Sequence, residues 1–185
     1  DDFASSGTSG REDDVEEPAS PASESLPEYV LRQIAPDLPP QDRKLAAFML
    51  THLDEEGILT ASLPEVAQYF HIPVSMVERV QNIIQRADPI GVGSCSPKEA
   101  LKIQLEVLSE SRAIPASAIR IVESAFDLLS RRQFNEIAHL LNVPLRQVQE
   151  AAAFISENLS PYPARCHWGD GRRCDQPIGT VYHHP

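Results

Sequence analysis

Long apolar runs, basic residues and cysteine are all scarce in this sequence of 185 residues. The longest fully apolar run is the six residues 45–50, whereas a membrane-spanning helix needs about 20, so we expect no membrane partner. The 16 basic residues are outnumbered by 27 acidic ones, and the net charge of −11 argues against a stand-alone nucleic-acid binder. Three cysteines without a framework spacing are typical of a reducing, cytoplasmic compartment.

Motifs for catalysis, metal binding and cofactor binding are also missing from the sequence. The Gly-Val-Gly at 91–93 lacks the lysine and hydroxyl residue of a phosphate-binding loop, so we interpret it as a turn. Cys95 has no neighbouring histidine and is interpreted as a turn cysteine rather than a nucleophile. Seven residues separate Cys166 from Cys174, outside the usual spacing of about two to four, which disfavours zinc. The candidate ligands of such a site would be Cys166, His167, Cys174, His183 and His184. We expect no catalytic residue, no metal and no cofactor.

The negative charge is concentrated at the N-terminus. Residues 1–25 hold eight acidic residues, one basic residue and almost no large apolar side chains. Such a segment cannot bury enough apolar surface to offset the entropy lost on ordering, so we predict a disordered acidic tail over 1–25. The remaining 160 residues have a net charge of only −4 and contain the apolar residues of a core.

The apolar residues after this tail recur with helical spacing, which predicts an all-α fold. Residues 41–53 are the clearest case, with apolar residues at positions i, i+3, i+4, i+7 and i+8. Residues 101–108 alternate between apolar and polar as a strand would, but a capping serine at Ser96 and the proline at Pro97 favour a helix. Further helices are predicted over 115–130, 134–141 and 145–159.

Three Ser-x-x-Glu sequences predict the starts of helices. In such a capping box the serine oxygen accepts a hydrogen bond from a free backbone N–H, and the glutamate side chain accepts one from the backbone of the serine. The pairs are Ser62 with Glu65, Ser75 with Glu78, and Ser96 with Glu99. Two helical subdomains are predicted, over 26–113 and 114–160. An irregular segment, 161–185, follows them and is expected to begin a truncated following region.

Two segments repeat at an offset of 71 residues, 65–77 and 136–148. Each predicts a short helix, a turn with an apolar residue before a proline, and a longer second helix, which is the helix-turn-helix arrangement. A stand-alone DNA-binding regulator, reading bases with the second helix, is therefore an alternative function. Charge argues against it, because the predicted second helices, 75–87 and 145–159, have net charges of only +1 and −1.

Four short motifs carry a family resemblance: DPIGVG at 88–93 with the helix 96–105, LDEEGILT at 53–60, LSPYP at 159–163 and VYHHP at 181–185. Their order and spacing resemble those of the core-binding region of the sigma-54 family of bacterial sigma factors, over residues 27–185. This chain departs from the family pattern at five positions, where proline, arginine, asparagine, arginine and glycine are usual. These positions are Ile90, Cys95, Ser160, Tyr162 and Ala164.

The resemblance implies a function without catalysis. A sigma factor of this family binds core RNA polymerase and directs it to promoters, where the closed complex waits for an ATP-driven activator. The matched region is the part that binds core polymerase, as a larger helix bundle followed by a smaller helix-turn-helix-like unit. The activator-responsive segment and the promoter-reading helix-turn-helix are not seen. Promoter DNA would therefore be contacted only through regions missing from this chain.

Polymerase contact is expected around the turn 53–60, the loop 88–93 and the helix that follows the loop. These segments are interpreted as carrying solvent-suited residues in a fixed geometry rather than core residues. The candidate polymerase-binding residues are Asp54, Glu55, Gly57, Asp88, Pro89, Gly91, Val92, Gly93, Lys98 and Gln104.

Overall fold

The computed structural model describes residues 24–169, which form the all-α structure that the apolar periodicity predicts. These residues contain no strand, although an isolated antiparallel bridge joins Leu53 to Leu59. None of the helices within 24–169 combines the length and the apolar character that crossing a bilayer requires. Most of the predicted tail and residues 170–185 lie outside the described residues. The helices are α1 Leu26–Ile34, α2 Pro40–Thr51, α3 Leu63–Phe70, α4 Val74–Gln85, α5 Pro97–Ser111, α6 Ala116–Ser124, α7 Phe126–Ser130, α8 Phe134–Leu141 and α9 Leu145–Asn158.

Helices α1 to α4 enclose the first of two hydrophobic clusters. Met49 on α2 and Val77 on α4 are among its fully buried side chains. Val92, in the loop after α4, is completely buried in the same cluster. Because burying one side chain of this size contributes about 1.5–3 kcal/mol, the cluster fixes both the four helices and the loop.

Helices α5 to α9 enclose the second cluster, which includes Ile121 and Val148. Helix α5 contributes Leu101 and Leu105 to this cluster, where Leu105 is fully buried. The division between the clusters therefore falls before α5. The apolar face of α5 packs against α6, and the subdomain boundary between residues 113 and 114 stays a prediction.

The predicted helix over 115–130 is interrupted. Helices α6 and α7 are separated at Ala125, whose φ of −138° and ψ of 26° leave the helical region. Ala125 is itself buried in the second cluster, and its N–H still donates to the carbonyl of Ile121 at 2.8 Å. The chain thus bends without leaving this backbone donor unsatisfied.

The internal repeat forms two helix-turn-helix units, α3–α4 and α8–α9. The residues that end the first helices, His71 and Asn142, are both left-handed, with φ of 55° and 53°. In both units the next residue donates its N–H to the carbonyl five residues earlier, at 3.0 Å. The sequence repeat at an offset of 71 therefore corresponds to a repeat in backbone geometry.

The serine half of the predicted capping box is present at two of the three helix starts, while the Glu99 carboxylate accepts from the N–H of Cys95 instead of from that of Ser96. The side-chain oxygens of Ser62 and Ser96 accept hydrogen bonds from the third residue of their helices at 3.3 and 3.1 Å. The prediction at Ser75 is wrong, because α4 already begins at Val74 with Pro73 as its N-cap. Ser75 is therefore the second residue of the helix and does not occupy the N-cap position from which a capping serine acts.

A capping box that the sequence analysis missed starts α1. The Ser25 oxygen accepts from the backbone N–H of Glu28, and the Glu28 carboxylate accepts from the backbone N–H of Ser25 at 2.9 Å. Glu24 also forms an ion pair with Arg32 at 2.8 Å. The last two residues of the predicted tail, 24 and 25, thus belong to the folded part of the chain.

Candidate docking site

The turn 53–60 and the loop 88–93 lie side by side. The backbone N–H of Leu59 donates to the carbonyl of Ser94 at 2.8 Å, and the N–H of Gly93 donates to the carbonyl of Gly57 at 3.0 Å. Two motifs that are about 35 residues apart in the chain are thereby joined through their backbones. Any partner that contacts one of them meets the other in a fixed position.

Asp54 organises the turn. Its Oδ1 accepts from the backbone N–H groups of Glu56 and Ile58 at 2.8 and 3.0 Å, and its own N–H donates to the carbonyl of Ile58 at 2.8 Å. Gly57 has a φ of +83° and is buried, and a Cβ at this position would lie 2.9 Å from the nitrogen of Ala164. Asp54 and Glu55 are exposed, so the turn presents two acidic residues on a backbone that cannot easily rearrange.

The loop 88–93 is mostly buried. Pro89, Gly91, Val92 and Gly93 are buried, while Asp88 is half-buried. Gly91 and Gly93 have φ of +94° and +79°, and a Cβ on Gly93 would lie 2.7 Å from Cγ2 of Ile84. The expectation that this loop carries solvent-suited residues is wrong for these four positions, because they pack against helices instead.

Glutamine side chains that the sequence analysis missed hold this loop. Gln81 Nε2 donates to the carbonyl of Gly93 at 3.0 Å, and Gln85 Nε2 donates to the Ser94 hydroxyl at 3.2 Å. Both glutamines are buried, on the face of α4 that meets the loop. Their position one turn apart, with apolar residues before and between them, is the sequence signal that could have indicated an inward-facing pair.

Asp88 joins the loop to α1 and to the end of the described chain. Its Oδ2 accepts from the Tyr29 hydroxyl at 2.5 Å and from the N–H of Gly169 at 3.1 Å. The side-chain amide of Gln33 donates to the backbone carbonyl of Asp88 at 2.7 Å and accepts from the backbone N–H of Asp88 at 3.0 Å. The hydrogen bond to Asp88, together with burial, raises the pKa of the Tyr29 hydroxyl above its ordinary value of 10.0.

Helix α5 places its two candidate residues in different surroundings. Lys98 is exposed in the first turn, close to the loop in sequence. Gln104 is buried, and its side-chain amide bonds to both backbone groups of Ser160: Nε2 donates to the carbonyl at 2.6 Å, and Oε1 accepts from the N–H at 2.8 Å. Gln104 therefore fixes the third motif, 159–163, to α5 rather than facing a partner.

The ten candidate residues thus fall into two groups. The exposed ones are charged and available to a partner, while the buried ones shape the surface that presents them. The exposed group is Asp54, Glu55 and Lys98, with Asp88 half-buried. The buried group is Gly57, Pro89, Gly91, Val92, Gly93 and Gln104.

Neither described cysteine has the surroundings of a reactive thiol. Burial and the nearby Glu99 carboxylate raise the pKa of the Cys95 thiol, and burial raises the pKa of the Cys166 thiol. A raised pKa lowers the fraction of thiolate, which is the nucleophilic form. Among residues 24–169 no group of three or more histidine, cysteine and acidic side chains is placed to hold a metal ion. Cys174, His183 and His184 lie outside the described residues.

The arginines on, or directly after, the second helices of the two helix-turn-helix units form ion pairs. Arg79 bonds to the buried carboxylate of Asp42 at 2.8 Å, and Arg86 pairs with Glu110. On α9, Arg146 pairs with Glu150 at 3.0 Å, one turn further along the same helix. Since DNA backbone contacts require available cations, this pairing does not favour DNA binding by these helices.

The described residues define an all-helical binding module, with two helix-turn-helix units and a junction of fixed loops that presents exposed charges. Comparison with known families agrees with this class: the family model described as "Sigma-54 factor, core binding domain" matches residues 16–174. The chain belongs to this family, and the resemblance inferred from its motifs is confirmed.

Several curated relatives are RNA polymerase sigma-54 factors. The factor of Xanthomonas euvesicatoria is 30% identical over 148 residues, which are 77% of this chain and 31% of that protein. The factor of Escherichia coli (strain K12) is 29% identical over 168 residues, 86% of this chain and 35% of that protein. The factor of Pseudomonas putida is 30% identical over 152 residues, 77% and 29% of the two chains. The chain therefore spans about a third of the length of these relatives.

Proposed function

We propose that this chain is the part of a sigma-54 factor that binds core RNA polymerase, through protein–protein contacts and without a catalytic step. The observation that carries the proposal is the convergence of the family motifs. The turn 53–60 and the loop 88–93 are joined through their backbones, and Ser160 of the third motif is bonded to the helix that follows the loop. A docking surface needs such pre-organisation, because ordering loops on binding costs affinity.

In a whole sigma-54 factor, other regions would read promoter DNA and respond to the ATP-driven activator. This chain would supply the attachment to polymerase at activator-dependent promoters, in the cytoplasm. Stand-alone DNA reading by α4 or α9 has less support, because Arg79, Arg86 and Arg146 are already paired with carboxylates.

The exposed charges Glu55 and Lys98 are proposed to contact polymerase directly. Glu55 lies at the tip of the turn 53–60. The carboxylate of the preceding residue, Asp54, already accepts hydrogen bonds from the backbone of the turn. Lys98 lies in the first turn of α5, two residues after the N-cap Ser96. Complementary charges at an interface govern the association rate and the choice of partner, so reversing either charge would weaken binding.

A pull-down of purified core RNA polymerase by the full 185-residue chain tests the proposed function. We expect retention of polymerase at moderate salt by a sample whose circular dichroism shows helix. A folded sample that retains no polymerase would refute the proposal. Specific DNA retention in a parallel assay without polymerase would favour the DNA-binding alternative.

Charge-reversal variants test the proposed surface. Glu55→Lys and Lys98→Glu are each expected to weaken polymerase binding by about tenfold, while leaving the melting temperature within a few degrees. Glu78→Lys on α4 and Lys44→Glu on α2 are the matched controls, since both positions are exposed and lie outside the motifs. Equal losses in the test and control variants would mean that net charge, rather than this surface, governs binding.

A further inference from the structure

The segment 159–169, which we term the strap, runs from the second hydrophobic cluster to the first. At its beginning, Leu159 is buried in the second cluster and Ser160 is bonded to Gln104 on α5. At its end, the N–H of Gly169 donates to the carboxylate of Asp88, in the loop that follows α4. The strap therefore links the two halves of the described chain independently of the loop that precedes α5.

The middle of the strap contacts the turn 53–60. The N–H of Ala164 donates to the carbonyl of Glu56 at 3.0 Å, and Arg165 forms an ion pair with the Glu56 carboxylate. Near the end of the strap, the ring centroid of Trp168 lies 5.1 Å from that of Tyr29 on α1. Tyr29 also donates its hydroxyl to Asp88, so the same tyrosine contacts both the tryptophan and the carboxylate that holds the end of the strap.

The strap is held by these polar contacts more than by apolar packing. Only Leu159, Ser160 and Pro163 of its residues are buried. A cleft of 190 Å³ lies between it, the loop and α5, with Ile90, Val107 and His167 among the residues that line it. Within residues 24–169, Glu56 Oε2, on the carboxylate that pairs with Arg165, is buried without a hydrogen-bond partner, which makes the closed arrangement less favourable. Segments with few buried apolar contacts open locally at low free energy.

We propose that the strap is a reversible closure that fixes the two hydrophobic clusters in one relative orientation, with the carboxylate of Asp88 holding its C-terminal end. Besides the strap, the clusters are connected by the short chain segment 93–96, by the exposed ion pair between Arg86 and Glu110, and by the close approach of Gly91 to Ala100 and Gln104 of α5. Opening the strap would leave only these contacts to hold the two helix-turn-helix units in their relative orientation. This inference concerns the protein alone and does not rest on polymerase binding.

Native-state hydrogen exchange of the full chain tests the first part of this proposal. We expect the amides of Ser160, Ala164 and Gly169 to exchange together, and faster than the amide of Leu105 in the second cluster. If these three amides are as well protected as that of Leu105, the strap opens only on global unfolding and the proposal fails. It also fails if Gly169 alone exchanges fast, because that would be fraying of one end.

Variants of the Asp88 contact test the second part. Tyr29→Phe removes one hydrogen-bond donor to the carboxylate, and Asp88→Asn removes its charge with little change in shape. Either is expected to speed exchange at Gly169 and Ala164 by roughly tenfold. Tyr69→Phe is the control, because the Tyr69 side chain is 67% exposed and on α3.

Trp168 provides an independent readout, because it is the single tryptophan of the sequence. Its emission should shift to longer wavelength in Tyr29→Phe and Asp88→Asn, with unchanged helical circular dichroism, and stay unchanged in Tyr69→Phe. If Tyr29→Phe folds and alters neither hydrogen exchange in the strap nor the Trp168 emission, the proposal that Asp88 holds the C-terminal end of the strap is refuted.

Discussion

Side-chain amides of glutamine fix the loops of this protein. Gln33, Gln81, Gln85 and Gln104 each bond to a backbone or hydroxyl group far away in sequence. A glutamine amide offers both donors and an acceptor, so it can satisfy the two backbone groups of one residue at once. These partners could not be read from the sequence, because glutamine is also common on exposed helix faces and its partners lie 9 to 56 residues away.

Gln104→Ala is expected to destabilise the protein by about 1–3 kcal/mol. The change leaves the buried N–H and carbonyl of Ser160 without their partner, and an unsatisfied buried group costs that much. Urea denaturation followed by circular dichroism measures the loss. Gln147→Ala on α9 is the control, because Gln147 is exposed, and it should change the free energy of unfolding by less than about 0.5 kcal/mol. Equal effects would show that the Gln104 hydrogen bonds contribute nothing net.

Gly93→Ala is expected to cost at least about 1–2 kcal/mol, because its φ of +79° is unfavourable for a residue with a Cβ. The new Cβ would also lie 2.7 Å from Cγ2 of Ile84. Ile84→Ala removes that carbon, so the double variant should lose less stability than the sum of the two single losses. Strictly additive losses in urea denaturation would show that the contact with Ile84 has no effect on stability.

Helix starts show where sequence patterns succeed and where they fail. Ser62 and Ser96 were predictable as caps because a capping serine acts locally, through a hydrogen bond three residues along. Ser75 matches the same pattern but lies one residue inside α4, because Pro73 takes the N-cap position. Comparison of the two repeats could have corrected the prediction at Ser75. Pro144, which corresponds to Pro73, is the N-cap of α9, although no serine follows it.

Ser96→Ala should therefore destabilise the protein by about 1 kcal/mol, whereas Ser75→Ala should change stability by less than about 0.5 kcal/mol. The first change removes an acceptor for the N–H of Glu99 at the start of α5. The second alters an exposed side chain inside α4. Thermal unfolding of both variants under identical conditions distinguishes them, and a loss for Ser75→Ala equal to that of Ser96→Ala would contradict the assigned helix starts.

The arrangement of the two clusters was the least predictable property of the molecule. Local periodicity predicted most helices and the repeat, but it does not tell which cluster a helix joins. Helix α5 carries Leu101 and Leu105 into the second cluster, and its Gln104 then holds the start of the strap. The long-range contacts of Gly169, 81 residues from Asp88, likewise have no local signal.

Tyr29 lies where the strap, the loop 88–93 and α1 meet. Its hydrogen bond to Asp88, burial and the charge of Asp88 raise the pKa of its hydroxyl above 10.0, while the Gly169 hydrogen bond and Arg32 lower it by less. The folded state therefore holds this proton more tightly than the unfolded state does. Stability then falls with rising pH, because the folded state binds more protons over that range.

This stabilisation is fully present below pH 10 and should be lost as the pH rises through the pKa of Tyr29 in the folded protein. We expect Tyr29→Phe to be less stable than the wild type at pH 8, and the difference between the two to shrink as the pH rises above 10. Urea denaturation of both proteins at several pH values measures this difference. The titration of the other tyrosines and of the lysines affects both proteins alike, so it drops out of the comparison. A difference that stays constant or grows with pH would mean that the proton of Tyr29 does not hold the strap, the loop and α1 together.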